Sequence, residues 1–370
     1  MSFITVYAFS DVNFDTRILK QCEVLIESDH EVRFHGVRYG DKIFKNSFLT
    51  NLFFKRHKKI AIQNLQYLFF CLIVFLIQFK YLNRRPTIIV HNMPNFLVLP
   101  FFVSRFFGSK IILDIHDDSC LAFKKYYKNR TLIALINWLE LKVALTVPHK
   151  LITVNRILAE YLKVYSTKEI LVIHNYPRSH NKAKKPSYVA GNTIKLVYLG
   201  HLGTHYDLET LICYLEKINT VPISLDIYGD GVQRNSLESL VRSKGMSSRI
   251  KFHGRYPSRD ISNILFKYDV GVAFYENTDL TNTLLPVKLL EYTENQLPAF
   301  SSKLLGTEIY FSKDSLIFAE SFDDFLRNIN YIFSGSLSLD KICSNASVDL
   351  KPLSWKKESI LFLDFLASDD

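Results

Sequence analysis

The sequence predicts an α/β protein built from two successive Rossmann-like, doubly wound domains. Three observations carry this reading. Short β-branched apolar runs alternate with helical patterns, the alternation pauses once in a basic stretch containing Pro and Gly, and it then starts again. With 370 residues, 48% of them hydrophobic, the chain is long enough for two domains of ordinary size and too apolar to stay disordered.

The first strands are read at "FITVYAF", "EVRFHGV", "TIIVHN", "KIILDIH", "KLITVN" and "EILVIHN", with helices at 15 to 29, 60 to 82, 96 to 107, 131 to 147 and 156 to 165. The stretch "HNYPRSHNKAKKPSYVAGNT" then supplies a linker near 177 to 192. A second set follows at "IKLVYLG", "ISLDIYG", "IKFHG", "DVGVAFY", "LPAFSS" and "SLIFAE", with helices from 207, 233, 258, 286 and 322. The expected domains are 1–180 and 191–350. The last segment, 351–370, holds a helix with apolar Ile360, Leu361, Phe362, Phe365 and Leu366, long enough to pack elsewhere than on its own sheet.

The formal charge of +10 is unevenly spread: residues 1–190 hold 28 Lys and Arg against 13 Asp and Glu, and 191–370 hold 18 against 23. A basic half of this kind suits a polyanionic surface, either nucleic acid or an anionic membrane leaflet. The five cysteines, Cys22, Cys71, Cys120, Cys213 and Cys343, show no metal-site spacing and read as reduced, mostly buried thiols of a cytosolic protein. No signal peptide is expected, since the first strand is read almost at the initial Met. The longest apolar segment starts at Ile60, but its gapless core, Tyr67 to Ile77, is 11 residues, so a buried or membrane-surface helix is expected rather than a span.

Ligands of such sheets bind beyond the carboxyl ends of the strands, which directs attention to a few loops. "LVYLGHLG" brings Gly200, His201 and Gly203 to a strand end, where glycine lets backbone amides face an anion. "IYGDG" contributes Gly229, either for close ligand approach or simply for a tight turn. After "IKFHG", Arg255 and Tyr256 are placed to meet a phosphate and a base, Arg255 alternatively being an exposed loop arginine, and Ser258 is read as the cap of the next helix. "KIILDIHDD" places Asp114, His116, Asp117 and Asp118 on and after a strand. These are possible metal ligands, but we read them as donors and acceptors without a metal. "SDVNFDTRIL" offers Asp11, Asn13 and Asp15 at a helix start, Asp15 alternatively as its N-cap and Arg17 as a solvated face. No G-x-G-x-x-G follows the first strand, which argues against a dehydrogenase. In "TLLPVKLLEY", a helix started by Pro286 sets Lys288 and Glu291 on one face.

Taken in order, "DVNFDTRILKQCEVLIESDHEV", "DIHDD", "HKLITVNRILAEYL" with "VIHNYP", "LVYLGHLG", "IYGDG", "IKFHGRYP", "YDVGVAFY", "PVKLLEYTENQLPAFSS" and "LSWKKESI" resemble the family 4 retaining glycosyltransferases, of GT-B fold. The resemblance spans nearly the whole chain. It implies a C-terminal domain that holds a nucleotide-sugar, an N-terminal domain for the acceptor, often at a membrane surface, and a final helix that crosses back to the first domain. Glu291 matches the second glutamate of the family's E-x7-E motif and is implied to bind ribose. Lys288, with the amides of Thr283, Leu284 and Leu285 at the helix start, is implied to bind the diphosphate, as free helix-terminal amides would suggest independently. Arg255 and Tyr256 match the base-holding loop, and His116 with Asp117 the motif facing the donor sugar. Asp11, Asn13 and Asp15 are assigned to the acceptor side.

Two positions depart from the pattern. Thr283 stands where many members have the first glutamate, and His201 replaces a common arginine. The implied reaction is metal-independent, with no cofactor. Lys288, Arg255 and helix-terminal amides stabilise the departing diphosphate, whose phosphate helps to deprotonate the acceptor hydroxyl while His116 and Asp117 position the sugar. The expected donor is a UDP- or GDP-sugar, and the expected acceptor a glycan, lipid-linked, in bacterial surface polysaccharide synthesis (O-antigen, capsule or exopolysaccharide). The expected location is cytoplasmic, peripheral at the inner face of the plasma membrane, with "FLTNLFFKRHKK" and the apolar helix after it docking on anionic lipid. A sugar-nucleotide epimerase of the same fold is one competing reading. A basic nucleic-acid-binding protein is another, although no nucleic-acid motif is present.

Overall fold

The structure, a computed structural model, describes residues 2–12, 15–39, 48–57, 59–92, 94–117, 129–177, 187–257 and 260–368. Asn13, Asp118, Cys120 and Ser258 lie outside these residues. The chain divides into two compact units, Met1–Asn175 with Lys356–Asp370, and Tyr176–Trp355.

The first unit is a seven-stranded parallel sheet in the order β3-β2-β1-β4-β5-β6-β7. Its strands are β1 (Phe3–Tyr7), β2 (Glu31–Arg38), β3 (Leu49–Lys55), β4 (Thr87–His91), β5 (Lys110–Ile115), β6 (Lys150–Thr153) and β7 (Ile170–Val172). The runs are apolar throughout because helices cover both faces. Ile88, Val90, Ile111, Leu113 and Ile115 point to one core, and the alternate Ile89 and Ile112 are equally buried on the other side. Strand β3 was not foreseen. It is an edge strand inside the segment we read as a basic run, and its register with β2 is interrupted between Gly36 and Arg38.

Helix Ile60–Gln78 continues as a 3₁₀ turn to Arg84. The stretch Ala61–Arg84 is 24 residues long, and an 18-residue window of it has mean hydropathy 1.8, so by length and composition it could cross a membrane and the 11-residue core understated it. One face packs into the core through Tyr67, Phe70 and Val74, while the other exposes Leu65, Leu68, Phe69, Leu72, Leu76 and Phe79. The segment expected as one helix from 96 begins as a 3₁₀ helix, Asn95–Phe101, with Pro100 inside it, before a helical turn at Phe102–Phe106. Its first amides, those of Asn95 and Phe96, donate to the buried carboxylate of Glu140 at 2.8 and 3.1 Å. The helix expected over 131 to 147 is α-helical only across Arg130–Trp138 and then changes pitch through Leu139–Val143 and Ala144–Thr146.

Helix Trp355–Ala367 belongs almost wholly to this first unit. Glu358 accepts from the His174 amide at 3.1 Å and meets the His174 ring at 2.5 Å. The helix's last carbonyls take ammonium donors: Lys110 reaches Leu366 O at 3.1 Å, and Lys150 reaches Ser368 O at 3.0 Å.

The second unit is a six-stranded parallel sheet, β10-β9-β8-β11-β12-β13. Its strands are β8 (Ile194–Leu199), β9 (Ile223–Tyr228), β10 (Ile250–Gly254), β11 (Val270–Ala273), β12 (Ala299–Ser301) and β13 (Ile317–Phe318). Alternate residues of β8 fill two cores, Leu196 and Tyr198 on one face, Val197 and Leu199 on the other. Helices Asp279–Asn282, Leu305–Tyr310 and Leu339–Leu350 were missed: the first two are too short to show a period, and the third mixes Ser, Asn and Asp into its pattern.

Candidate active site

Each sheet reverses its order at one point, between β1 and β4 in the first unit and between β8 and β11 in the second. Open α/β sheets bind ligands beyond the carboxyl ends of the strands at such a point. Both units carry a cluster of polar side chains there.

In the second unit the strand-end loops interlock backbone to backbone. Gly200 (φ 135°) and Gly229 (φ 138°) occupy a conformation that favours glycine, and a Cβ on Gly229 would stand 1.7 Å from the Gly200 carbonyl oxygen. The Gly229 amide donates to Gly254 O at 2.7 Å and that of Gly200 to Tyr228 O at 2.9 Å. These glycines are thus required by the packing of three loops.

Lys288 lies in the first turn of helix Val287–Glu294, is 6% exposed, and approaches Gly200 so closely that a Cβ there would lie 2.8 Å from its Cε. Its ammonium sits 3.8 Å from the ring centroid of Tyr206, 4.9 Å from that of Tyr198 and 5.5 Å from that of Tyr275. Burial pushes the Lys288 pKa down to about 7, with Glu291 opposing the shift. Glu291 is half-buried on the same helix. The next residue, Tyr292, anchors that helix: its hydroxyl accepts from the Leu199 amide at 3.1 Å and donates to Val272 O at 3.2 Å, and Gly271 leaves room for its ring.

Of the other expected residues of this unit, the helix-start amides differ from expectation. Helix Val287–Glu294 is capped by Pro286, so the amides of Thr283 and Leu284 precede it and are used in the turn before, donating to Leu280 O at 3.4 Å and Thr281 O at 3.1 Å. The amides of Val287 and Lys288, in the first turn, are the ones the helix itself leaves for a ligand. Leu285, like Leu284, packs its side chain against the core. Arg255 has an 83% exposed side chain and donates to Asp230 at 3.2 Å. Tyr256 meets Tyr228 edge-on, and Tyr228 stacks on His253 at 4.3 Å. His201 points to solvent while its carbonyl accepts from the Tyr198 hydroxyl at 2.6 Å, and Gly203 lies beneath its ring.

In the first unit the cluster centres on Asp114, at the end of β5. Arg17 grips its carboxylate with two bonds, Nε to Oδ2 at 3.0 Å and Nη2 to Oδ1 at 2.8 Å, and Gln21 adds a third at 2.7 Å. Arg17 is therefore a buried partner, and the expectation of a solvated face is corrected. Burial, the largest influence, would raise the Asp114 pKa, but the Arg17 charge together with the neighbouring His116 and His91 outweighs it and holds the carboxyl well below its usual range. His91 closes β4, with its Nδ1 3.0 Å from His116 Nε2 and 3.5 Å from Asp114 Oδ2. Asn92 bridges the same turn, accepting from the His116 amide at 2.7 Å and donating to Asp117 O at 3.0 Å.

His91, Asp114 and His116 bring ligand-type atoms within 4.8 Å of one another. A divalent cation would have to share a carboxylate already held by a guanidinium, which opposes that use. Asp15 is the N-cap of helix Thr16–Glu27, accepting from Ile18 N at 3.2 Å, and buried Asp11 accepts from the Tyr39 amide at 3.0 Å. Asp15 thus takes the N-cap role given as its alternative, whereas the structural contact of Asp11 was not expected. Sequence reasoning missed His91, Asn92, the Arg17–Asp114 pair and the tyrosines around Lys288. The polar pair ending "TIIVHN" was a usable signal for the first two.

Residues 179–348 match the family model described as glycosyl transferases group 1. No curated protein matches the sequence. Among solved structures, the lipopolysaccharide outer core galactosyltransferase WaaB is similar at 15% identity, with 98% of each chain covered and a TM-score of 0.67. The sucrose-phosphate synthase of Thermosynechococcus elongatus shares 13% identity over 99% of this chain and 98% of its own, TM-score 0.76. Anabaena HepE, solved with UDP and glucose, shares 13% over 100% of both chains, TM-score 0.72. The epimerase and nucleic-acid readings gain nothing from these likenesses. The match over most of the second unit marks it as a glycosyl transferases group 1 domain, and the full-length likeness to solved structures gives the chain the GT-B fold of two Rossmann-like domains.

Proposed function

We propose that this glycosyltransferase takes its sugar from a UDP- or GDP-sugar and transfers it, with retention of configuration, to a hydroxyl of a lipid-linked glycan in bacterial surface polysaccharide synthesis. The observation that carries the donor assignment is Lys288, a buried cation without a hydrogen bond or ion pair among the described residues, beside the strand-end glycine at the switch point of the second sheet. Such an ammonium invites an anion, and a diphosphate brings two charges to it. HepE's complexes with UDP and UDP-glucose, and WaaB's lipopolysaccharide role, support this reading. Lys288 and the first-turn amides of its helix hold the departing diphosphate, Glu291 the ribose, and His116 with Asp117 the sugar. No metal or cofactor takes part.

The acceptor side rests on the exposed apolar face of helix Ile60–Gln78. Residues 42–113 contain eleven Lys and Arg and no Asp or Glu, so that face sits in an acid-free basic stretch suited to an anionic bilayer. The first experiment is a thermal-shift screen with UDP, GDP and their sugars. Stabilisation by one nucleotide class is expected, since ligand bound only to the folded state raises Tm, and no shift with any of them would overturn the donor assignment.

A further inference from the structure

The imidazoles of His91 and His116 face each other across 3.0 Å, Nδ1 to Nε2, and one proton must lie between them. Its owner decides what His116 presents to a ligand, because a neutral imidazole donates from one nitrogen and accepts at the other. His91 is 1% exposed, and its Nε2 is buried with no hydrogen-bond partner among the described residues. If His116 owned the proton, His91 would have to carry its own on that partnerless nitrogen, leaving a buried donor unsatisfied. If His91 owns it, His91 Nε2 keeps only a lone pair; the Asp114 carboxylate, with Oδ2 3.5 Å from His91 Nδ1 and Oδ1 3.6 Å from His116 Nε2, lies almost equally near both nitrogens, so the buried Nε2 of His91 decides between them. Double protonation of His91 is opposed by burial, which pushes its pKa down to about 3 despite the nearby carboxylate.

We propose that His91 is a positioning residue, which donates its Nδ1–H to His116 Nε2 and so fixes His116 as the Nδ1–H tautomer, a hydrogen-bond donor on its partly exposed side. The His116 ring is 16% exposed, and its Nδ1 has no partner among the described residues. The Arg17 clamp holds Asp114 beside both rings, and His91, whose buried Nε2 favours the proton on Nδ1, sets the tautomer of His116. Asn92 fixes the backbone of the same turn. His116 thereby offers an N–H to an oxygen of the ligand instead of acting as a base. This rests on the proposed function only where that oxygen is taken to belong to the donor sugar.

The test is the imidazole ¹⁵N spectrum of the full-length protein labelled in histidine, for wild type, His91→Leu and His91→Asn. The Asn amide nitrogen takes the place of Nδ1 and can donate in the same direction. Expected is an Nδ1–H signature for His116 in wild type, its loss in His91→Leu and its return in His91→Asn. A wild-type His116 carrying Nε2–H overturns the proposal, and that spectrum decides the point even if His91→Leu does not fold. In transfer assays with the nucleotide-sugar found by the screen, His91→Leu should lower kcat at least tenfold with donor KM nearly unchanged, and His91→Asn should recover much of the loss. An unchanged kcat in a His91→Leu protein that has lost the signature would overturn the positioning role. Failure of wild type to use any nucleotide-sugar would instead count against the proposed function, while the spectrum still decides the tautomer.

Discussion

Arg17 and Asp114, 97 residues apart, form a two-pronged ion pair in which neither side chain is more than 3% exposed. Its place in the first unit is central: the Arg17 Nη1 also donates to Ile173 O at 2.6 Å, so one guanidinium joins the first helix, the end of β5 and the segment after β7. Removing one partner leaves a buried charge uncompensated, at a cost of about 3–5 kcal/mol. Asp114→Asn or Arg17→Met should lower the unfolding free energy of the first unit by that amount, read from the shift of its urea midpoint. The double variant Arg17→Met/Asp114→Leu should cost much less than the two single changes together. Additive losses in the unfolding curves would show that the two residues are energetically independent.

The same cluster makes the first unit sensitive to acid. Buried His91 has its pKa lowered to about 3 and buried His35 to about 4, burial being the first cause in each, while the Arg17 charge holds Asp114 below the usual carboxylate range. Between these values and the ordinary ones the unfolded chain binds more protons than the folded one, so stability rises with pH there. The loss should begin as pH falls below about 6.5 through the histidines and steepen below about 4 through Asp114. Replacing His91 by Asn removes one titrating group, and the slope of unfolding free energy between pH 6 and 4 should become shallower. An unchanged slope would place the acid sensitivity elsewhere.

Most of the framework was legible in the sequence because both faces of each parallel sheet are buried, so strands such as "IKLVYL" and "KIILDI" are apolar runs bounded by polar turns. Strand β3 was illegible for the opposite reason: an edge strand needs no continuous apolar run, and its lysine and the arginine after it look like a charge cluster. The switch-point residues divide along the same line. Lys288 and Glu291 stood out as charges on an apolar helix, whereas Tyr198, Tyr206 and Tyr275 look in sequence like ordinary core aromatics until the fold gathers them around one ammonium. The long-range partner of Arg17 is likewise invisible to local periodicity, since pairing at a separation of 97 residues is a property of the sheet order.

Lys288 gives a prediction in which stability and affinity move in opposite directions. An ammonium held among rings with no carboxylate in contact among the described residues destabilises the free protein, and a diphosphate compensates it. Lys288→Met should therefore raise the Tm of the ligand-free protein while weakening nucleoside-diphosphate binding by about 10- to 100-fold, the range of a charge-assisted hydrogen bond. The pH dependence follows from the lowered pKa of about 7. Above it the free protein carries a neutral amine that must take up a proton on binding, so affinity should fall as pH rises from 7 towards 9, and this slope should vanish in Lys288→Met. Calorimetry in buffers of different ionisation enthalpy would detect the proton uptake. Its absence, with a flat affinity profile in wild type, would mean that Lys288 is charged before the ligand arrives.

The exposed face of helix Ile60–Gln78 can be tested without disturbing the core, since Leu68, Phe69 and Leu72 are 61%, 56% and 52% exposed while Tyr67, Phe70 and Val74 hold the helix to its sheet. Burying such side chains in lipid gains about 1.5–3 kcal/mol each when complete, so partial insertion of three of them amounts to roughly a hundredfold in partition. The triple change Leu68→Ser, Phe69→Ser and Leu72→Ser should reduce binding to anionic vesicles at least tenfold with Tm preserved. Lys59→Glu with Lys80→Glu, at the two ends of the helix, should reduce it mainly at low salt, because the attraction between exposed charges and an anionic surface is screened within a Debye length. Vesicles of neutral lipid should bind the wild type more weakly and with little salt dependence. If wild type fails to sediment with anionic vesicles at any salt concentration, the apolar face does not serve a bilayer, and self-association through it becomes the reading to measure by sedimentation velocity.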